Sequence, residues 1–258
     1  MTSLHYVYGI VPATAAAPVA AASLRGLDSS IVRAVAEGPL AAAVSEVDAA
    51  DYDEAVLNER VRDLDWLTPR AAAHQRVNVR LLEIAEAVLP LSFGALYRDE
   101  ARVRELLRED VGGRQTRLDT VAGRAEWVVT VTREADAVPG ADEDHASLDR
   151  EIEKSPPGRS YLLEKQRSRV ASAATERADA EAARRAHDVL RDASERVYRE
   201  PVAKGGDVVV LRLSLLARRS ETGALERVIA ALGDELGAQG YHVRANGPWP
   251  AYRFGSLA

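Results

Sequence analysis

The amino-acid sequence predicts an α+β protein of two α/β domains, the second built on one very long, alanine-rich helix. Three observations predict it. Segments with strand chemistry alternate with segments of helical spacing along all 258 residues. A strongly β stretch, Glu126-Trp127-Val128-Val129-Thr130-Val131-Thr132, restarts that alternation midway and sets a domain boundary near Gly123, giving 1–123 and 124–258. From about Arg159 to Tyr198 the chain reads as helix, with Ala171, Ala173, Ala174, Ala178, Ala180, Ala182, Ala183 and Ala186 along it.

The first domain opens on a strand, Leu4 to Ile10. A loop is expected through the alanine run of 13–22, because Pro12 and Pro18 interrupt it and no charged start marks it as a signal peptide. Ser30–Ala36 and Leu40–Val47 read as strands joined by Glu37-Gly38-Pro39, a hairpin. Helical spacing begins near Tyr52, and Thr68-Pro69 predicts a fresh N-cap with proline at the first helical position. Val88 to Leu96 reads as a buried strand or strand-like loop in which Pro90-Leu91-Ser92-Phe93-Gly94 carries one of only two phenylalanines. Asp99–Arg108 is a helix, followed by another that Gly112-Gly113 breaks and that runs to Val121.

In the second domain an acidic stretch, Val138–Glu153, precedes Ser155-Pro156-Pro157-Gly158 and the long helix, which Ser160 can cap. About 40 residues at 1.5 Å each give a rod of about 60 Å, so the helix must overhang, bend or pair. Lys204-Gly205-Gly206-Asp207 turns into a strand over Val208–Ala217. Ser220–Gly237 is a helix with Leu225, Val228, Ile229, Leu232 and Leu236 at helical spacing, and Tyr241 opens a last strand. The resulting β–α–β–α–β order is compatible with a modified ferredoxin-like sandwich.

Composition narrows function. Hydrophobic residues at 47% indicate a folded globular chain, while a net charge of −6 disfavours broad nucleic-acid binding, which needs a cationic surface. No cysteine means no disulfide, thiolate nucleophile or Cys-ligated zinc, and fits a reducing cytoplasm. No stretch approaches the roughly 20 apolar residues of a membrane span. Phosphate-binding, dinucleotide-binding and nucleophile-elbow motifs are absent. None of His5, His74, His145, His187 and His242 has a helical i, i+4 histidine partner. Asp142-Glu143-Asp144-His145 is the nearest approach to a metal cluster and reads as a solvated acidic loop. The sequence therefore assigns no catalytic, cofactor-binding or metal residue.

Contact chemistry is what remains. Leu163, Val170, Ala174, Ala178, Ala182, Ala186, Val189, Ala193 and Val197 form a stripe that suits packing on the sheet or against another helix. From Arg150 to Glu200 the chain carries 12 Lys/Arg against 10 Asp/Glu, a balanced surface and no nucleic-acid tether. Arg159, Tyr161 and Lys165 at the helix start are candidate contacts. So are Trp249, Tyr252 and Phe254 in the stiff aromatic segment 247–258, which is expected first to close its own fold by packing Trp249 and Tyr252 inward.

Five pieces, in order, span the chain: Tyr6-Val7-Tyr8-Gly9-Ile10-Val11, Val88 to Gly94, Glu126 to Val131, Ser155 to Leu163, and Gly247-Pro248-Trp249-Pro250-Ala251-Tyr252. Together they resemble the gas vesicle L/F accessory protein family, with departures at Ser92, the doubled Pro156-Pro157 and Ala251. The resemblance implies two α/β domains, the second ferredoxin-like. It further implies a non-catalytic, cytoplasmic role in gas vesicle formation, through binding the small hydrophobic shell protein or other accessory proteins. A small-molecule-binding regulatory protein is the alternative, because ferredoxin-like sandwiches often hold ligands between sheet and helices.

Overall fold

A computed structural model describes residues 3–52, 54–134, 151–202 and 208–255. The fold is α+β, with two sheet-containing units and one long helix. One compact unit comprises Met1–Glu126, Arg218–Ser220 and Gly247–Ala258; the other comprises Trp127–Ala217 and Glu221–Asn246. The terminal segment, which the sequence reading kept with the second half, thus contributes to the first unit.

The first unit's sheet is antiparallel. Strand β1 (Ser3–Pro12) is followed by a short helix α1 (Ala16–Ala21), then β2 (Arg33–Glu37) and β3 (Leu40–Asp48). The β2–β3 hairpin turns where expected, with Gly38 at φ +56°, and the sheet order is β2-β3-β1. The alanine run is helical rather than a loop: a 3-10 turn at Ala13–Ala15 leads into α1, Ala15 and Val19 are buried, and Pro18 falls in the first turn, where its missing N–H breaks no helical bond.

Helices α2 (Ala49–Tyr52), α3 (Glu54–Arg60) and α4 (Leu64–Ile84) follow. The expected cap at Thr68 is wrong. Asp63 caps α4 by accepting from the amides of Asp65 and Trp66, and Pro69 lies inside the helix. An acidic side chain one turn earlier satisfies the orphan donors, so proline has no start to mark. The next two strands, β4 (Leu89–Pro90) and β5 (Leu96–Tyr97), each pair with β1. Helix α5 (Glu100–Arg108) falls where a helix over Asp99–Arg108 is expected, with Asp99 as its cap, and α6 (Val111–Val121) ends this unit's helices. Gly112-Gly113 does not break α6. The pair sits in its first turn, where the Gly113 amide donates to the Asp110 carboxylate at 3.1 Å. Tyr6, Tyr8, Val11, Leu27, Val77 and Leu81 lie in the main core of this unit.

The second unit contains most of β6 (Arg124–Arg133), α7 (Pro157–Asp192), β7 (Arg196–Arg199), most of β8 (Val208–Arg218), α8 (Thr222–Gly237) and most of β9 (Tyr241–Trp249), with sheet order β7-β8-β6-β9. The long helix is shorter than the expected span to Tyr198. It stops at Asp192, where the Ser194 hydroxyl donates to Leu190 O, and the chain enters β7, a strand the sequence reading missed. Ser160 does not cap its start; its single hydroxyl hydrogen faces the carbonyl of Ser155 at 3.0 Å, with those of Ile152 and Pro156 farther at 3.3 Å, while Pro157 occupies the first helical position. The C-terminal half of the alanine stripe joins this unit's core cluster: Ala182, Ala183, Ala186 and Leu190 pack with Trp127, Leu213, Leu225 and Leu232, while Leu163 and Ala174 are buried outside it. Arg185 clamps α7 to α8 with a bidentate pair to Glu235 at 2.7 and 2.8 Å. The acidic stretch 138–153 falls mostly, and the Lys204–Asp207 turn wholly, outside the described residues.

Candidate functional site

The six residues singled out from sequence fall into two groups, one in each unit. Arg159, Tyr161 and Lys165 stand on the first turns of α7. Pro157 pre-sets the helical backbone there, and the Arg159 guanidinium pairs with Glu151 at 2.6 Å. Lys165 is exposed one turn beyond Tyr161, on the same side of the helix. Tyr161 is 64% exposed, and so is its neighbour Leu162, whereas Leu163 is buried. Leu162 was missed. Its signal was an apolar side chain lying off the stripe that Leu163 begins. Between Pro157 and Val170 the charges are Arg159, Lys165, Arg167 and Arg169 against Glu164 alone, so the exposed apolar pair sits in a cationic setting.

Trp249, Tyr252 and Phe254 belong to the closing segment, and all three are half-buried. The Tyr252 hydroxyl donates to Gln75 Oε1 at 2.8 Å, and burial pushes its pKa up, so it stays protonated. The Arg253 amide donates to the buried Glu126 carboxylate at 2.7 Å. Gly255 closes the turn onto Ala251 O at 2.7 Å, and a Cβ there would come within 2.8 Å of that oxygen and 3.1 Å of Leu89. Pro250 and Ala251 are buried. The segment is therefore held to its own unit by hydrogen bonds at Tyr252, Arg253 and Gly255.

Beneath the first sheet lies a polar-aromatic cluster that no motif announced. Tyr6 and Tyr8, two apart on β1, point to one face with ring centroids 4.9 Å apart. His74 and Asn78, four apart on α4, meet them. The Asn78 side-chain amide lies 3.0 Å from His74 Nε2, and His74 Nδ1 lies 2.8 Å from the Tyr6 hydroxyl, so both ring nitrogens are engaged. Tyr6 also accepts the Gly94 amide, and Phe93 stands edge-on to Tyr6 and His74. Burial pushes the His74 pKa down to about 4 and the Tyr6 pKa upward. Tyr8 accepts the Leu27 amide and bonds Ser45, each at 2.8 Å. A second cluster joins Tyr52, which donates to Asp28 at 2.5 Å, to Arg70, which pairs with Asp28 at 2.8 Å and lies over Trp66. The first cluster is buried and the second is part-exposed at Asp28. In each, one buried polar atom, Asn78 Oδ1 and Trp66 Nε1, makes no hydrogen bond among the described residues, while the remaining bonds join segments distant in the chain and rigidify the fold.

Among the described residues no group of three or more His, Asp or Glu could hold a metal ion. His242 pairs with Glu134 at 2.9 Å and His187 lies 3.4 Å from Asp188, both at the surface. The Asp142–His145 cluster lies outside the described residues. Clefts of about 440–460 Å³ open in the first unit. One is bounded by Tyr52, Leu57, Leu96 and Arg98; another by Pro18, Ile84, Glu86 and Asp119. Neither places a nucleophile beside a base. No helix among the described residues is long and apolar enough to cross a membrane.

Residues 4–256 match the family described as gas vesicle synthesis protein GvpL/GvpF. Gas vesicle protein L of Streptomyces sp. (strain CB03234) is 34% identical over 265 residues, covering 99% of this chain and 94% of that protein. Gas vesicle protein L2 of Halobacterium salinarum is 26% identical over 271 residues, covering 97% and 90%. The crystal structure of GvpF from Anabaena sp. PCC7120 superposes with a TM-score of 0.69 at 17% identity, over 99% of this chain and 97% of that one. That of GvpF from Microcystis aeruginosa also gives 0.69, at 16% identity and full coverage of both.

Proposed function

The chain belongs to the gas vesicle synthesis protein GvpL/GvpF family, and on that premise we propose that it is a non-catalytic assembly protein that binds the small hydrophobic shell protein of the vesicle or its other accessory proteins in the cytoplasm. The observation that carries this reading is the exposed Tyr161–Leu162 pair. Two large apolar side chains lie open side by side on a helix whose next residue, Leu163, is buried. Such side chains, with arginines around them, are the anchors protein interfaces favour. Arg159 and Lys165 flank the pair and would supply the polar rim.

The closing segment takes a supporting part. Trp249, Tyr252 and Phe254 are half-buried, and their exposed parts would add to the contact surface. A shell subunit destined to face gas carries apolar surface that must be shielded before it assembles, and a rigid α+β accessory protein with an open apolar anchor suits that task. The second unit is read as a modified ferredoxin-like sandwich; its β–α–β–β–α–β element order supports this. The two clefts bounded by Tyr52 and by Pro18 place no nucleophile beside a base, and the assembly role is preferred on the family and on the exposed pair.

Co-purification with purified shell protein tests the reading. The intact chain is expected to retain shell protein, and a Tyr161→Ser/Leu162→Ser variant to lose it. No retention by the intact chain under assembly-permissive conditions would overturn the proposal.

A further inference from the structure

Two clefts of the first unit meet on one short stretch, Leu96-Tyr97-Arg98. The one of about 440 Å³ is walled beyond that stretch by Leu4, Tyr52 and Leu57. The other, of about 460 Å³, is walled by Leu106, Glu105 and Glu109. A ligand lying along both clefts passes Arg98 midway, with apolar side chains beneath each end.

Charge sets Arg98 apart from its neighbours. Arg102 pairs with Glu105, and Glu109 lies 3.6 Å from Arg114. Farther along α5, Arg104 pairs with Glu100 at 2.7 Å and Arg108 with Glu37 at 3.0 Å. Arg98 is exposed and, among the described residues, has no hydrogen bond or ion pair. Of the charges that line the two clefts it is the one left without a partner among those residues.

Main-chain groups are open beside it. Tyr97 stands opposite His5 and Leu96 opposite Tyr6, and the Val7 amide donates to Ala95 O at 2.8 Å. Bonded and non-bonded pairs alternate in an antiparallel ladder. Ala95 and Tyr97 therefore bond β1, and Leu96 turns its N–H and C=O away from β1. Among the described residues β5 pairs with no other strand.

We propose that the joined clefts bind an extended, acidic peptide segment of a partner protein, its central carboxylate on the Arg98 guanidinium and an apolar side chain in each cleft. Three features select this occupant. An unpaired guanidinium favours a carboxylate, which it can hold by two parallel hydrogen bonds. Leu96 offers one main-chain donor and one acceptor, which an added strand matches and a hydrocarbon chain does not. Side chains two apart on a strand point the same way, about 6.5–7 Å apart, so the pattern apolar-x-acid-x-apolar places its ends on either side of Arg98. The surface shares no residue with the Tyr161–Leu162 contact.

An NMR titration of the full chain with the pentapeptide Leu-Thr-Glu-Thr-Leu, acetylated and amidated, tests this. The amides of Leu96 and Arg98 should shift to saturation. Glutamine in place of the central glutamate should weaken binding at least about tenfold, through loss of the charge-assisted pair. Arg98→Glu should weaken the glutamate peptide at least as much, bind a lysine-centred peptide better than the parent chain does, and keep the parent's melting temperature. Arg76→Glu makes the same charge change at an exposed position on α4 outside both clefts, and should leave binding within about twofold. No saturable shift, equal affinity for the glutamate and glutamine peptides, or equal losses from Arg76→Glu and Arg98→Glu would overturn the proposal. So would decanoate that displaces the peptide at equal or lower concentration, which would give the clefts to an aliphatic carboxylate. A dimer of the free chain that Arg98→Glu abolishes would overturn it in favour of a second copy.

Discussion

Nδ1 of His74 lies 2.8 Å from the hydroxyl of Tyr6, 68 residues earlier in the chain, and this bond ties α4 to the central strand of the first sheet. Both groups are buried and neutral. Burial holds the His74 pKa at about 4, against an ordinary 6.5.

Stability should therefore fall on acidification in a defined window. A depressed histidine pKa means that the unfolded chain binds the proton first, so the contribution is whole above pH 6.5 and is lost as pH falls toward 4. Below that both states are protonated and the loss stops. The difference amounts to about 3 kcal/mol. Urea unfolding at pH 7, 5.5 and 4.5 should show the decline, and His74→Gln, which keeps a hydrogen-bonding side chain without the titration, should lack that component. Equal pH slopes for the two chains would refute it.

Gly26 should tolerate no side chain. A Cβ there would lie 1.9 Å from the Tyr8 hydroxyl, which holds the Leu27 amide and Ser45. Gly26→Ala must displace that ring in a packed core and break its bonds, a loss of about 3 kcal/mol. Gly38→Ala meets open space and pays only for its positive φ, about 1 kcal/mol. Chemical denaturation of the two variants orders them.

The alanines of the long helix should divide at its midpoint. Ala186 is fully buried among Leu190, Leu225 and Leu232, so Ala186→Leu overpacks and should destabilise by about 2 kcal/mol. Ala173 is exposed, and Ala173→Leu should fall within about 0.5 kcal/mol of the parent. Thermal melting separates the two.

This division also marks how far the sequence is legible. Elements with their own start signals and period were readable: Asp99 opening α5, the β2–β3 hairpin, and the Trp127 strand. Helix α4 was placed a turn late because Thr68-Pro69 imitates a cap, while Asp63, the residue that binds the free amides, lies outside the apolar pattern. Strand β7 was lost because Ala193 and Val197 continue the helical stripe and no glycine or proline interrupts it. At the candidate site, Tyr161 was readable as an aromatic near a helix start. The exposure of Leu162 depends on which face the core takes. The His74 cluster depends on strand–helix contacts between distant segments, which one sequence does not display.

The closing segment should be released by one substitution. The Glu126 carboxylate, 5% exposed, accepts the Arg253 amide at 2.7 Å. A hydrogen bond to a charged group contributes about 1.5–3 kcal/mol, so Glu126→Ala should speed exchange of the Arg253 amide by about tenfold to a hundredfold. Amides of β3 should keep their protection. Hydrogen exchange read by NMR checks both, and unchanged exchange at Arg253 would show that other contacts hold the segment.

The Tyr161–Leu162 pair should affect binding without affecting the fold. Each is 64% exposed, so neither contributes much buried area, and Tyr161→Ser/Leu162→Ser should leave unfolding free energy within about 0.5 kcal/mol of the parent. Loss of two interface anchors at about 2 kcal/mol each should weaken retention of shell protein by roughly a thousandfold. Leu163→Ser is the contrast, because Leu163 is buried: it should lower the melting temperature as well as binding. If the exposed-pair variant binds shell protein as the parent does while remaining folded, the contact lies elsewhere on the chain, and the half-buried faces of Trp249 and Phe254 become the surface to alter next.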